Sequence, residues 1–487
     1  MTDAPRSPWP ALWALVIGFF MILVDVTIVS IATPAIMADL GADVASVVWV
    51  TSGYLLAYAV PLLITGRLGD RIGPRRVYLA GLAIFTLASL WCGLTGSVGA
   101  LIAARVVQGL GASLMTPQTM AVINRTFPAE SRGSAMSLWG ATAGIATLVG
   151  PLLGGVLVDA FGWQWIFIIN VPVGVVGFVA AWRLVPELPT HVHRFDMVGV
   201  CLSAVGMFLL VFGIQEGQSF AWNGVVAAMI VAGLLVMAVF LWWQTRVAEP
   251  LVSLELFRDR NFSLANVAIT TVGFGITAMA FPLTFYAQGV LGLSPTGAAL
   301  LIAPMAVVSG LLAPVVGKLV DAAHPRWIAG FGMLAMPAAL FWLAAIMGPD
   351  TPIWVVVAPT VLLGIASAFV WAPLATTATR NLPPRHAGAG AGVYNTTRQV
   401  GSVLGSAAIA VLIAAQLAAN LPAGGTGGGP GVGIAHLPPA LHAGFATAMS
   451  HAILLPAAVL LIGFVAAASF RLPAHFAARR EAATAEA

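Results

Sequence analysis

The chain has 487 residues, of which 60% are hydrophobic and only 8% charged, and its mean hydropathy is +0.98. An ordinary soluble protein carries about 25% charge; this chain cannot cover globular domains with polar surface, so a soluble enzyme, a disordered scaffold and a nucleic-acid binder are set aside. The pI near 9.5 comes from 21 basic against 17 acidic residues, too small an excess to build a basic groove.

A helix needs about 20 mostly apolar residues to cross the hydrocarbon core. Windows of that length fall near 11–33, 46–66, 77–96, 98–120, 134–157, 165–185, 197–216 and 224–245. Six more fall near 263–287, 296–316, 328–347, 353–377, 391–415 and 444–471, giving fourteen. They are apolar all round, without the period-2 alternation of barrel strands, so they read as helices. The first is too long for a signal-peptide core and carries Asp25. Cys92 and Cys201 both lie in apolar stretches, which argues against a disulfide framework or a cysteine metal site.

Threading the chain through a membrane fourteen times puts nineteen of the 21 basic residues on one side and none in the opposite loops. The other two, Arg105 and Arg398, fall inside spans. Lysine and arginine concentrate on the cytoplasmic side, so both termini are expected there. The loops are short; the longest, 416–443, holds a glycine-rich run at 424–431 and reads as a flexible external linker. His191 and His193 sit in a cytoplasmic loop with no third ligand nearby, and read as solvated rather than metal-bound.

The sequence repeats. Gly66-Arg67-Leu68-Gly69-Asp70-Arg71-Ile72-Gly73-Pro74-Arg75-Arg76 is echoed 251 residues later by Gly317-Lys318-Leu319-Val320-Asp321-Ala322-Ala323-His324-Pro325-Arg326-Trp327. A weaker echo, at an offset of 255, relates Arg125, Pro128 and Gly133 to Arg380, Pro383 and Gly388. Both members of each pair fall on the cytoplasmic side, so the halves are parallel repeats. The expected plan is a six-helix bundle over 1–196, an inserted hairpin and linker over 197–262, and a second six-helix bundle over 263–487.

With those features in place, the chain resembles the fourteen-span drug:proton antiporters of the major facilitator superfamily, the EmrB/QacA type. The 66–76 segment is similar to the superfamily's signature loop. Leu101, Arg105, Gln108, Gly109, Gly111, Ala112 and Ser113 in the fourth span resemble the proton-coupling motif, and Gly150-Pro151-Leu152-Leu153-Gly154-Gly155 the core of the antiporter motif. Asp25-Val26-Thr27-Ile28-Val29-Ser30-Ile31-Ala32-Thr33-Pro34 resembles the fourteen-span signature, and Asn395-Thr396-Thr397-Arg398-Gln399-Val400-Gly401 the thirteenth span. The resemblance implies an all-α polytopic membrane fold with a 6 + 2 + 6 arrangement. It also implies that Gly66, Gly69, Asp70, Arg71 and Arg75 form a latch between the cytoplasmic ends of the bundles. Gly150, Pro151, Gly154 and Gly155 would pack closely and kink the fifth span, closing one side of the cavity.

Asp25 is the only carboxylate deep inside a span, and ionised against lipid it would cost roughly 2.5–3.5 kcal/mol, so it should face the protein interior. At 1.5 Å per residue it lies about 4–5 Å, and Arg105 about 6 Å, to the external side of the midplane, level enough to pair. The pair reads either as a proton-titrating site, with burial and Arg105 opposing each other at the carboxylate, or as a structural tie between helices. Arg398 lies about 6–7 Å to the cytoplasmic side, where structural, gating and substrate-contact roles all fit. Tyr54, Tyr58, Gln118, Trp139, Asn266, Thr270, Tyr286 and Asn395 are further candidates for lining a mainly apolar cavity.

The expected function is export of hydrophobic or amphipathic compounds in exchange for protons by alternating access, with a dedicated exporter of one metabolite, lipid or self-made antibiotic as the alternative. There is no GxxxxGK[ST] loop for ATP, no HExxH and no paired acid/base site, so an enzyme is not expected. No cofactor is expected, the proton gradient being the energy source. The expected partners are a small molecule, protons and the lipid of a bacterial cytoplasmic membrane, with the chain working as a monomer and binding no nucleic acid.

Overall fold

The computed structural model describes residues 7–42, 44–128, 131–190, 196–217, 220–383, 386–421 and 437–471. His191, His193 and the glycine-rich run 424–431 lie outside the described residues. Among the described residues there are helices and no strands. In chain order they are α1 (Trp9–Leu40), α2 (Val44–Ala59), α3 (Leu62–Ile72), α4 (Pro74–Leu94), α5 (Val98–Thr126), α6 (Arg132–Phe161), α7 (Trp165–Ile168) and α8 (Asn170–Leu184). Then come α9 (Met197–Gln215), α10 (Gly224–Gln244), α11 (Arg260–Gly289), α12 (Pro295–Ala322), α13 (Pro325–Ile346), α14 (Ile353–Thr379), α15 (Ala387–Asn420) and α16 (His442–Ala468).

Local chemistry explains many of the boundaries. Proline opens α4, α12 and α13 at the first helical position, where its missing N–H is no loss. Ser97, Asn223, Asp259 and Ser294 accept from backbone N–H groups in the first turns of α5, α10, α11 and α12. Asp196 does more than cap α9. It accepts from Gly199 N at 2.8 Å, and also from Trp243 Nε1 at 2.9 Å and Gln244 Nε2 at 2.8 Å, tying the open end of the α9–α10 hairpin shut. The 66–76 segment differs from the loop expected of it: α3 runs on through Asp70 to Ile72, and only Gly73, at φ +103°, breaks the chain before Pro74 starts α4. A second break at Val60-Pro61 bends α2 from α3 by 46°.

Twelve helices among the described residues are long and apolar enough to cross a membrane, and the bent α2–α3 pair makes thirteen. The 30-residue α6 runs over the expected window 134–157 but is not among these thirteen.

The packing shows the repeat directly. In the first half α4 lies on α5, α2 on α5, α1 on α6, α4 on α8 and α1 on α8. In the second half α13 lies on α14, α12 on α14, α11 on α15, α13 on α16 and α11 on α16, which are the same pairings one repeat later. Contacts between the halves follow the same symmetry: α12 packs on α6 and α3 packs on α15. The hairpin helix α9 touches α2 and α15, one helix from each half, and so covers a seam between them.

Candidate functional site

Two polar assemblies and one cavity stand out in an otherwise apolar interior. The first assembly surrounds Asp25 on α1 and Arg105 on α5, both fully buried. Arg105 Nη1 donates to Asp25 Oδ2 at 2.5 Å and to Gln108 Oε1 at 2.7 Å, while its Nε donates to Val50 O on α2 at 3.1 Å. The other carboxylate oxygen of Asp25 accepts from Gln108 Nε2 at 2.9 Å and from Asn170 Nδ2 at 3.2 Å. Ser89 Oγ on α4 accepts from both amides and donates to Phe167 O at 3.0 Å. The guanidinium lies over the Tyr54 ring, 4.1 Å from its centroid, which supplies a negative face beneath the charge.

Residues of α5 and α8 thus meet the carboxylate directly, and α2, α4 and α7 hold those residues in place. Three donors, one of them charged, meet its two oxygens. Ser89 and Asn170 were not singled out in the sequence; the available signal was that each is a polar residue in an apolar stretch. Gly150 of α6 sits close by. A Cβ there would fall 1.9 Å from Thr27 Oγ1, so glycine lets α6 press against α1 two residues from Asp25. A Cβ on Gly155 would meet nothing within 4 Å, and nothing is described of the Pro151 side chain.

The second assembly joins the halves. Asp70 accepts from Gly388 N at 3.0 Å and Ala389 N at 2.9 Å, in the first turn of α15. Asp321, its counterpart one repeat later, accepts from Gly133 N at 2.8 Å and Ser134 N at 3.1 Å, in the first turn of α6. Each aspartate thus caps a helix of the opposite half, meeting unpaired N–H groups and the positive end of the helix dipole. The weaker sequence echo, Gly133 and Gly388, supplies the two receiving sites. Backbone proximity demands glycine here: a Cβ on Gly66 would lie 2.5 Å from Gly388 O. A Cβ on Gly69 would meet the Gln118 side-chain amide, whose Nε2 donates to Thr65 O at 2.8 Å. Arg380 adds an ion pair to Asp321 at 3.2 Å, and Arg132 donates to Arg380 O at 3.3 Å. Arg75 lies elsewhere: it bonds Trp182 O and pairs with Glu187 at 3.4 Å, tying α4 to the end of α8.

The cavity, about 390 Å³, opens between α1 and α2 on one side and α11 and α15 on the other, with Ile214 of α9 completing its wall. Of the candidate lining residues, Tyr58 and Arg398 reach it. The others turn into the bundles. Trp139 stacks on Phe19, and Asn266 donates to Phe262 O and accepts from Thr397. Thr270 and Asn395 bond carbonyls one turn back on their own helices. Tyr286 donates to Gly348 O at 2.9 Å. Asp25 itself does not line the cavity, but its helix neighbours Ile22, Leu23 and Val26 do, so one wall of α1 separates the carboxylate from the space.

Comparison with known proteins agrees with this architecture. The chain is 56% identical, over 95% of its length and 81% of the relative's, to an uncharacterized MFS-type transporter, Rv1250, of Mycobacterium tuberculosis. It is 36% identical, over 83% of its length and 76% of the relative's, to the tetracenomycin C resistance and export protein of Streptomyces glaucescens. Its fold is similar to the crystal structure of the human organic anion transporter MFSD10, with a TM-score of 0.64 at 14% identity, covering 93% of this chain and all of that one. The family profile described as Major Facilitator Superfamily matches residues 15–406, and the chain, a polytopic membrane protein, belongs to that superfamily of transporters.

Proposed function

We propose that the chain is a secondary active exporter that moves hydrophobic or amphipathic compounds out of the cell in exchange for protons. One observation carries the reading: a buried carboxylate, bonded by residues of α5 and α8, lies one helix wall away from a mainly apolar cavity between two pseudo-symmetric halves. Proton and substrate would bias the same equilibrium through α1, whose Ile22 and Val26 face the cavity while Asp25 faces Arg105. The halves would be the six-helix bundles over 1–196 and 263–487, rocking about the cavity, with 197–262 as the inserted hairpin and linker. No bound cofactor enters this scheme, and one chain suffices for it.

In inside-out vesicles with an acidic lumen, the protein should concentrate the neutral fluorophore N-phenyl-1-naphthylamine, and nigericin should abolish the accumulation. Accumulation that ignores the gradient would overturn proton coupling. The similarity to the tetracenomycin exporter favours one second reading, a dedicated exporter of a self-made antibiotic. A single transported compound in a broad panel would select it.

The coupling reading assigns Arg105 a fork, since one nitrogen serves Asp25 and Gln108 and another serves Val50. Arg105→Lys keeps the charge and loses that geometry, so gradient-driven uptake at equal membrane level should fall about tenfold or more. Wild-type uptake would show that a point charge is enough.

Fourteen spans with both termini in the cytoplasm of a bacterial cell complete the proposal. With Cys92 and Cys201 replaced, single cysteines in 416–443 should react with an impermeant maleimide from outside, and those in 186–196 should not. The reverse pattern would refute the topology.

A further inference from the structure

We propose that the central cavity recognises amphipathic compounds bearing an anionic group, a carboxylate or phosphate, and that Arg398 of α15 pairs with that group. The inference deepens the export reading and rests on it for the direction of transport. Two arginines lie inside the spans, and their surroundings differ. Arg105 has a carboxylate, an amide, a backbone carbonyl and an aromatic face. Arg398 has no hydrogen bond or ion pair from its guanidinium among the described residues, and its Nε is buried without a partner. It lines the cavity, and no aspartate or glutamate does.

The rest of the lining divides by chemistry. Ile22, Leu23, Val26 and Leu55 form an apolar wall across from Arg398, whereas Gln399, Ser402 and Ser406 continue polar groups along its own helix. A bound molecule thus meets grease on one side, and a cation with neutral hydrogen-bonding groups on the other. That asymmetry matches an amphipath with an acidic head. An unpaired cation next to an apolar wall disfavours a cationic ligand, because like charges repel more strongly where water is scarce.

The backbone that carries the arginine is fixed in place. A Cβ on Gly273 of α11 would fall 2.2 Å from Arg398 O, and one on Gly401 would fall 2.1 Å from Thr270 O. Ser402 Oγ donates to Gly273 O at 3.3 Å. This stretch of α15 is therefore wedged against α11, which sets where the Arg398 side chain leaves the helix. The forked guanidinium suits a two-oxygen anion.

The test uses three probes with one aromatic body: pyrenebutyrate, pyrenebutanol and pyrenylbutyl-trimethylammonium. Their binding to the full chain is measured in phosphatidylcholine nanodiscs, and their gradient-driven uptake in inside-out vesicles. Pyrenebutyrate should bind about tenfold or more tightly than the trimethylammonium probe. Arg398→Gln should weaken pyrenebutyrate about tenfold more than the alcohol, and Arg398→Lys should restore part of the difference. The wild-type comparison stands even if a variant fails to reach the membrane. Loss of pyrenebutyrate binding in discs containing phosphatidylglycerol would assign the anion to a lipid headgroup, and equal binding in both would assign it to a free solute. Equal or preferred binding of the cation, binding of none of the probes, or equal weakening of all three by Arg398→Gln would overturn the proposal. Selective binding without uptake of any probe would sink the export reading alone, and uptake of all three without preference would sink only this one.

Discussion

Asp25→Asn is expected to reach the membrane at wild-type levels and still bind substrate, but not to accumulate it against a gradient when a pH difference is imposed. The amide keeps the shape of the carboxyl group and fixes its neutral form. In the wild type, Asp25 accepts from Arg105 at 2.5 Å and from Gln108 and Asn170. Protonation from outside would loosen that cluster and favour reorientation inward, and loss of the proton inside would rebuild it. A group that cannot change charge gives the two orientations no proton-dependent difference in energy, so uphill uptake should fall to the background, about a hundredfold or more. Downhill exchange of substrate should survive. Uphill uptake at the wild-type rate would move the coupling elsewhere. Glu216, at the end of α9, is then the next group to examine, since its Oε1 is buried and without a hydrogen-bond partner among the described residues.

The second large effect is expected at the latch. Asp70→Asn and Asp321→Asn each replace a charged cap by a neutral one while leaving an oxygen to accept from one backbone N–H. Losing the charge at a helix N-terminus is worth about 0.5–2 kcal/mol, so each single variant should slow transport several-fold without emptying the membrane of protein. The two aspartates act on the same closed end from opposite halves. The double variant should therefore lose transport about tenfold or more and populate the form open at that end. Cysteines introduced at Gly133 and Gly388 would disturb the contact itself. A reporter on Arg67, which is buried and borders a neighbouring pocket at the same end, is preferable. Its labelling should rise in the double variant. Unchanged labelling and transport would leave both aspartates as helix caps with no part in the conformational change.

Much of the fold was legible because burial in lipid leaves few options. Apolar windows mark helices regardless of how those helices pack. The 251-residue echo located both aspartates that join the halves, and the 255-residue echo located the helix starts they cap, although nothing in the sequence alone joined the two. Levels along a helix axis were also readable, which is why Asp25 and Arg105 were recognised as able to meet. Rotation about the axis was not. Tyr54 and Trp139 look like cavity aromatics in a window of sequence, yet one lies under Arg105 and the other stacks on Phe19. Ser89 and Asn170 escaped notice because small polar residues are common in apolar spans, and only their convergence on Asp25 gives them a role. The helical character of 66–72 was hidden by Gly66 and Gly69, which serve close approach to α15 and to Gln118 of α5 rather than a turn.

The central claim is that proton and substrate compete for one conformational equilibrium through Asp25. It is tested most directly by adding the best-transported probe to purified protein in weakly buffered solution and following pH with a dye. The account predicts that the wild type releases protons, up to one per chain, when the probe is added at a starting pH acidic enough for Asp25 to carry its proton, and that Asp25→Asn, whose amide has no proton to exchange, releases none. Equal release from both proteins, or none from the wild type while the probe is seen to bind, would contradict it.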